Sequence, residues 1–176
     1  MAHIANPSAN SCFECAKCCF TQPCALEPKD LTKIANYLDL TEIELFNQFL
    51  VLDYVEAKGT KQYYLCPARK TDVPGRIVQA DWTFSDSPCI FLDRTRCSIQ
   101  DVKPRGGRTY YCGLLTDKAQ SVVAYGKKRS ATDWGKDERL KKLLRVATED
   151  EQYRRFSRTG WRFTELFSPP FGGGLE

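Results

Sequence analysis

The spacing of apolar residues predicts two consecutive helices between residues 27 and 50. Glu27-Pro28 is typical of a helix start, and Thr41 with Glu44 three residues later forms a capping-box pattern at a second start. Apolar residues follow each start at helical spacing. The predicted buried faces are Leu31, Ile34, Ala35 and Leu38 in the first helix, and Phe46, Phe49 and Leu50 in the second. We expect this helix pair to pack beside the segment that precedes it.

The chain then changes to a pattern typical of strands. Residues 51–66 alternate on either side of a turn at 57–60, which predicts a β-hairpin. A shorter hairpin is predicted between Cys89 and Cys97. Residues 77–84 and 120–125 are further candidate strands.

The last part of the chain is predicted to be helical. One helix is expected from Asp133, and Thr148 with Glu151 repeats the capping-box pattern ahead of a short second helix. The apolar face of the first consists of Leu140, Leu143, Leu144 and Ala147. An aromatic cluster at 161–167 is interpreted as a lid on the core.

The composition is typical of a soluble protein. Of its 176 residues 42% are hydrophobic, but no apolar run approaches the ~20 residues that span a bilayer. The first eleven residues lack the basic and apolar regions of a secretion signal. We therefore expect a cytoplasmic protein that does not associate with membranes.

Nine cysteines carry most of the chemical information. Two cysteines at C-x2-C spacing place their sulfurs on one side of a tight turn, as in zinc sites. Three cysteines at C-x2-C-x2-C spacing can supply three thiolate ligands of an iron–sulfur cubane, with the fourth ligand from elsewhere in the chain. The C-x2-C-x2-C-C quartet is Cys12, Cys15, Cys18 and Cys19, the later group is Cys89, Cys97 and Cys112, and Cys24 and Cys66 lie between. Disulfides are disfavoured, because the number is odd and cytosolic thiols stay reduced.

A centre built from these residues is close to all-sulfur, since His3 is the only histidine. Soft thiolates select zinc and iron–sulfur clusters over magnesium or calcium. Cys66-Pro67 is a place where a fourth cluster ligand fits. The predicted metal ligands are Cys12, Cys15, Cys18, Cys19, Cys66, Cys89, Cys97 and Cys112. Cys24 and Cys66 can also be read as buried core cysteines, and the number of sites stays open.

Charge and motifs give little support to other functions. The formal charge is +4, and each four-thiolate zinc or [4Fe–4S] site lowers it by two, so nucleic-acid binding is not favoured. The basic segment 105–108 is expected to be a flexible solvated loop, and 127–129 and 154–162 are the other basic segments. No catalytic residue is predicted, because the chain has no strand-linked Gly-rich loop and no catalytic histidine.

The cysteine pattern resembles the YkgJ-type cysteine-cluster family, described as a zinc- or iron-chelating domain. The quartet matches the first family motif, segments 88–93 and 97–99 match the second, and Lys103-Pro104 stands where Arg-Pro is usual. The resemblance covers residues 12–112 and implies cysteine-bound metal. Relatives have been linked to iron–sulfur clusters, including a flagellin lysine methylase that carries this kind of domain. The resemblance implies no reaction for a stand-alone member.

We therefore expect a small, irregular, metal-centred α+β fold with a helix pair, short hairpins and a helical C-terminal extension. The expected segments are a lead at 1–11, a metal-binding domain at 12–126, an extension at 127–168 and a tail at 169–176. The favoured function is to hold a [4Fe–4S] cluster for redox, metal-handling or structural purposes, with a redox or protein partner. The alternatives are a zinc-stabilised adaptor for nucleic acid or protein, and an iron–sulfur-dependent modifying enzyme of the methyltransferase kind.

Overall fold

The computed structural model describes residues 19–21, 24–78, 87–109 and 116–158. Its helices are α1 (Pro28–Tyr37), α2 (Glu42–Phe49), α3 (Arg105–Thr109), α4 (Thr116–Trp134) and α5 (Arg139–Arg158), with a 3-10 turn at Gln100–Val102. Its strands are β1 (Leu50–Ala57), β2 (Thr60–Pro67), β3 (Leu92–Asp93) and β4 (Arg96–Cys97). The strands form two antiparallel two-stranded sheets, so the described chain has the small, irregular α+β fold that was expected.

Helix α1 begins at the predicted Glu27-Pro28 start and helix α2 at the predicted Thr41–Glu44 capping box, and α1 also has a capping box between Glu27 and Asp30 that was not predicted. The Glu27 N–H donates to Asp30 Oδ2 at 2.9 Å. The Glu44 N–H donates to Thr41 Oγ1 at 3.2 Å, and the Thr41 N–H donates to Glu44 Oε2 at 2.8 Å. These bonds pair amides that a helix start leaves without an acceptor. The buried members of the two predicted apolar faces are Leu31, Ile34, Ala35, Phe46 and Leu50.

Strands β1 and β2 form the predicted hairpin. The connecting turn is Lys58-Gly59, and both residues have positive φ, which a tight two-residue hairpin turn requires. The register places Asp53 opposite Tyr64, and Cys66 lies two residues farther along the same face of β2. One face of the hairpin therefore carries an acidic, a phenolic and a thiol side chain.

Leu26 fastens the hairpin to α4. Its N–H donates to the Leu65 carbonyl at 2.9 Å. Its carbonyl accepts from Ser130 Oγ at 2.6 Å and from Trp134 Nε1 at 2.7 Å. All four residues are buried, where an unpaired polar group is costly, so these bonds fix the position of α4.

The strand predicted at 120–125 is wrong, because this segment lies inside α4. Its β-branched and aromatic residues suggested a strand, but Tyr125 is 68% exposed on the helix. Among residues 121–134 of α4, the buried ones come later and have helical spacing, at Ser130, Ala131 and Trp134. The packing of α4 on β1 and β2 overrides a weak local preference for strand.

The C-terminal helix also differs from its prediction. Helix α5 begins at Arg139 instead of Asp133, and it continues to Arg158 without a break at Thr148. Thr148 Oγ1 donates to the Leu144 carbonyl at 3.0 Å, which is the bond of a threonine inside a helix. The predicted apolar face is largely confirmed, since Leu140, Leu143 and Ala147 are buried.

Three further predictions concern shorter segments. The loop predicted at 105–108 is instead part of helix α3. Of the candidate strand at 77–84, Ile77 pairs with Leu52 in an isolated bridge, and residues 79–84 lie outside the described ranges. The aromatic cluster at 161–167 also lies outside them. Within the described ranges, no helix has the length and apolar character needed to cross a membrane.

Arg139 joins the helix pair to the turn between α4 and α5. Its Nη1 donates to Glu42 Oε1 at 2.6 Å and to Thr32 Oγ1 at 2.9 Å. Its Nη2 donates to Asp137 Oδ2 at 2.7 Å and to the Pro28 carbonyl at 3.1 Å. One guanidinium group therefore connects α1, α2 and the start of α5.

We expect Arg139→Met to lower the free energy of unfolding by about 1–2 kcal/mol. Hydrogen bonds to charged groups contribute roughly 1.5–3 kcal/mol, and the Arg139 side chain is 34% exposed, which reduces the effect. Urea denaturation followed by circular dichroism measures the change. The control is Lys141→Met, which breaks only an exposed pair with Glu138 and should cost less than about 0.5 kcal/mol. Equal losses in the two variants would contradict a stabilising role for Arg139.

Candidate metal centre

Five of the predicted or candidate cysteines lie in the described part of the chain. Their positions are Cys19 before α1, Cys24 near the start of α1, Cys66 on β2, Cys89 ahead of β3 and Cys97 on β4. The other four, Cys12, Cys15, Cys18 and Cys112, lie outside the described residues.

The last cysteine of the quartet lies next to the first cysteine of the later group. The Cys89 N–H donates to the Cys19 carbonyl at 2.9 Å. Both residues are buried. This backbone bond joins two parts of the chain that are far apart in sequence and places the thiol-bearing residues of both groups side by side.

The segment that begins at Cys89 also runs along the end of the long hairpin. Cys89 and Arg69 form an antiparallel bridge, and the Ile90 N–H donates to the Ala68 carbonyl at 2.9 Å. Cys66 lies three residues before Arg69 on the same strand and its continuation. The backbone of Cys66 and that of Cys89 are therefore on adjacent stretches of chain.

Cys97 lies on the short hairpin that follows Cys89. It is paired with Leu92 across β3 and β4, and the Leu92 N–H donates to the Cys89 carbonyl at 3.0 Å. The ring of Phe91 stacks on that of Phe49 with centroids 5.3 Å apart, which packs this hairpin against α2. The predicted hairpin between the two cysteines is confirmed, and it brings Cys97 back toward Cys89.

Cys66 has the most unusual environment of the described cysteines. It is fully buried at the end of β2. Burial raises the pKa of its thiol well above the ordinary value, the charge of Asp53 raises it further, and the charge of Lys127 lowers it. A thiolate at this position therefore requires a strong positive partner, and a bound metal ion is one, since coordination deprotonates a thiol outright.

Cys24 lies where the start of α1, the hairpin and α3 meet. The charge of Cys24 raises the pKa of the Cys66 thiol further. A Cβ added at Gly106 would lie 3.5 Å from the Cys24 Cβ and 3.1 Å from the Ala25 carbonyl oxygen. Glycine at this position therefore lets α3 approach the Cys24 backbone closely.

Two charged residues of this region were not assigned to the metal centre by sequence reasoning. Asp53 is buried on the same face of the hairpin as Cys66, and Lys127 of α4 lies beside it. The period-two pattern of β1 and β2 could have identified Asp53, because it places that residue opposite Tyr64. No pattern in the sequence separates Lys127 from the basic residues that follow it.

The described residues do not by themselves form a metal site. Within the described ranges, no three Cys, His, Asp or Glu side chains converge closely enough to hold one ion. A complete site would require ligands from the four cysteines outside these ranges. The donor chemistry fits zinc or an iron–sulfur cluster, because the residues brought together here are soft sulfur donors.

Residues 11–131 match the family model "CxxCxxCC: Putative zinc- or iron-chelating domain". The match covers more than half of the chain, and the protein belongs to this family. It extends past Cys112 into most of α4, farther than the motifs identified from the sequence. The family description supports cysteine-based metal binding and does not distinguish zinc from iron. Searches of curated proteins and of solved structures each found no significant match.

We expect Cys66→Ala to reduce the metal content of the protein as well as its stability. If Cys66 is a metal ligand, its replacement removes bound metal. If it is only a core residue, its replacement leaves a small cavity and the metal stays bound. Metal analysis of anaerobically purified protein gives the ratio of metal to chain. Leu65→Ala is the matched control, since Leu65 is equally buried next to Cys66 and should cost about 2–5 kcal/mol without changing that ratio. Full metal content in Cys66→Ala would assign Cys66 to the core alone.

Proposed function

We propose that this protein holds a metal centre through cysteine thiolates contributed by the quartet and by the later cysteines. The proposed ligands are Cys12, Cys15, Cys18, Cys19, Cys66, Cys89, Cys97 and Cys112. The observation that carries the proposal is the backbone hydrogen bond between Cys89 and Cys19. Because of it, the end of the quartet and the start of the later group share one neighbourhood in the fold.

The proposed set exceeds the need of one simple site. A mononuclear zinc ion and a cubane cluster each take four protein ligands. Cys18 and Cys19 are adjacent in sequence, so their side chains tend to diverge and serve two sites more easily than one. The proposal therefore includes two centres, or one centre with additional cysteines beside it.

An iron–sulfur cluster of the [4Fe–4S] type is the favoured centre, with a redox, metal-handling or structural role. The quartet contains three cysteines at the spacing that supplies three corners of a cubane, and a distant cysteine supplies the fourth. Cys66, which is followed by proline and buried near Cys89, is a candidate for that fourth position. Zinc is the alternative with the same donor set.

Anaerobic purification distinguishes the two metals. A cluster gives a brown protein with absorbance near ~400 nm, and it contains iron and acid-labile sulfide in equal amounts. A colourless protein with tightly bound zinc and no iron would reject the cluster and keep the thiolate site. Protein that binds neither metal after reconstitution under reducing conditions would reject the proposed function.

We expect Cys15→Ser and Cys18→Ser to lose metal and thermal stability together. Small metal domains gain much of their folding free energy from the bound metal, so removal of a ligand acts on both quantities. Metal content and melting temperature are measured on the same anaerobic preparations. Ser98→Ala, an exposed change beside Cys97, is the control that should alter neither. Unchanged metal content and melting temperature in both cysteine variants would contradict the assignment of the quartet.

The structure gives less support to a zinc-stabilised nucleic-acid adaptor. Arg105 Nη1 lies 3.3 Å from Glu27 Oε1, and Arg129 Nε lies 3.7 Å from the same oxygen. Lys127 faces the buried Asp53. Basic residues that seemed available in the sequence are thus engaged with acidic groups of the same chain, which weakens the case for a phosphate-binding surface.

A further inference from the structure

A group of buried polar side chains lies beside Cys66 on the inner face of the long hairpin. Asp53 is 1% exposed, and the buried Tyr64 hydroxyl donates a hydrogen bond to its Oδ2. Lys127 Nζ lies 3.9 Å from the same oxygen, and its side chain is only 15% exposed. Asp53 Oδ1 also accepts from the Tyr54 N–H at 2.7 Å. This region therefore places a partly buried cation beside a fully buried carboxylate.

Such a group is not needed to fill the core. Removing two charges from water costs several kcal/mol for each ion, and apolar side chains of the same size are often as stable or more stable. The Asp53–Lys127 pair is also loose at 3.9 Å, so the attraction between the two ions does not by itself explain why the Lys127 side chain is largely removed from water.

The cysteine beside this pair supplies a further negative charge when it binds metal. Cys66 lies two residues from Tyr64 on the same face of β2, and Tyr64 is opposite Asp53. Because Asp53 and Cys66 lie on one face of the hairpin and Lys127 Nζ lies 3.9 Å from Asp53 Oδ2, the three side chains share one region of the fold. A zinc ion or a [4Fe–4S] cluster with four thiolates carries two net negative charges, and the Asp53 carboxylate lies on the same face of the hairpin as Cys66.

We propose that Lys127 is a positioning residue for the metal centre, and that its ammonium group, carried by α4 against Asp53, offsets the negative charge of the loaded thiolate site. This inference rests on the proposed function, because it requires Cys66 to be a ligand. It adds that metal binding is coupled to the docking of α4 on the long hairpin.

The coupling to α4 follows from the position of Lys127 on the helix. Ser130 and Trp134, within two turns after Lys127, donate to the Leu26 carbonyl and fix the helix on the hairpin. Lys127 therefore reaches Asp53 only when α4 is docked. Since a ligand that binds the docked state better also stabilises it, metal binding and docking of α4 strengthen each other.

The test compares Lys127→Met with Lys128→Met in the full-length protein. Lys128 is the adjacent exposed residue of α4, so it carries the same charge without facing Asp53. The reduced, metal-stripped protein is titrated with Zn²⁺ alone under anaerobic conditions, in competition with a chromophoric chelator. We expect Lys127→Met to weaken zinc affinity by about tenfold or more, as changes next to a ligand do, and Lys128→Met by less than about twofold. Lys127→Arg should retain most of the affinity because it keeps the charge.

A double-mutant cycle with Asp53→Asn separates this role from a purely structural one. If Lys127 only neutralises Asp53, then Lys127→Met should have no effect on zinc affinity in the Asp53→Asn background. If Lys127 compensates the thiolate centre, Lys127→Met should still weaken zinc binding in that background, by about threefold or more. Unfolding of the stripped variants in urea shows whether any loss arises from the fold instead.

The outcomes distinguish the inference from the function on which it rests. Equal affinities for Lys127→Met and Lys128→Met, or a loss that disappears with Asp53→Asn, would overturn the role of Lys127 and leave the metal centre in place. A loss explained entirely by lower stability of the stripped protein would overturn it as well. If the wild-type protein takes up no zinc, or if Cys66→Ala leaves zinc binding unchanged, the ligand assignment fails and the inference fails with it.

Discussion

The hydrogen bonds of Leu26 are the constraint on which the arrangement of the described chain depends. Its amide is bonded to the second strand of the hairpin, and its carbonyl is bonded to two side chains of α4. Because these groups are buried, releasing any of them would leave a polar atom without a partner in the core. The next residue, Glu27, is the N-cap of α1, so a single point in the chain fixes the hairpin, the long helix and the helix pair relative to one another.

The candidate metal centre lies close to these bonds, since Cys24 is two residues before Leu26 and Cys66 directly follows Leu65. Ordinary backbone pairing brings Cys19 beside Cys89, and Cys89 beside the continuation of β2. The short hairpin β3–β4 then returns the chain to Cys97. Main-chain bonds therefore set the backbone positions of Cys19, Cys89 and Cys97 relative to one another.

The parts of the fold that were predicted correctly depend on local chemistry. The capping box of α2 needs only Thr41 and Glu44, which are three residues apart, and the long hairpin follows from alternation around a Lys58-Gly59 turn. Helix α4 was missed where its sequence is rich in valine, because its burial depends on contacts with Leu26 and with the hairpin that no local pattern reveals. At Thr148 a helix start was predicted where the helix in fact continues. Residues that cap a helix also occur inside one when the hydroxyl bonds to the preceding turn.

The same distinction applies to the candidate site. Cysteine spacing indicated a metal centre, because the chemistry of thiolates is specific enough to be read from sequence alone. The place of Lys127 beside Asp53 could not be read in this way. This placement depends on the docking of α4, part of which was predicted as a strand. It also depends on which helix packs against the Asp53 face of the hairpin, and the sequence alone does not reveal that.

The burial of the long hairpin decreases along its length toward the turn. The two ends of the hairpin should therefore differ in how readily they open. The first four residues of β1 and the last four of β2 are buried, whereas the residues around the Lys58-Gly59 turn are partly or fully exposed. Fraying that starts at the turn can proceed through about half of the ladder before it uncovers any core side chain. Amide protons near the turn should therefore exchange by local opening, while those flanking Cys66 exchange only when the whole domain unfolds.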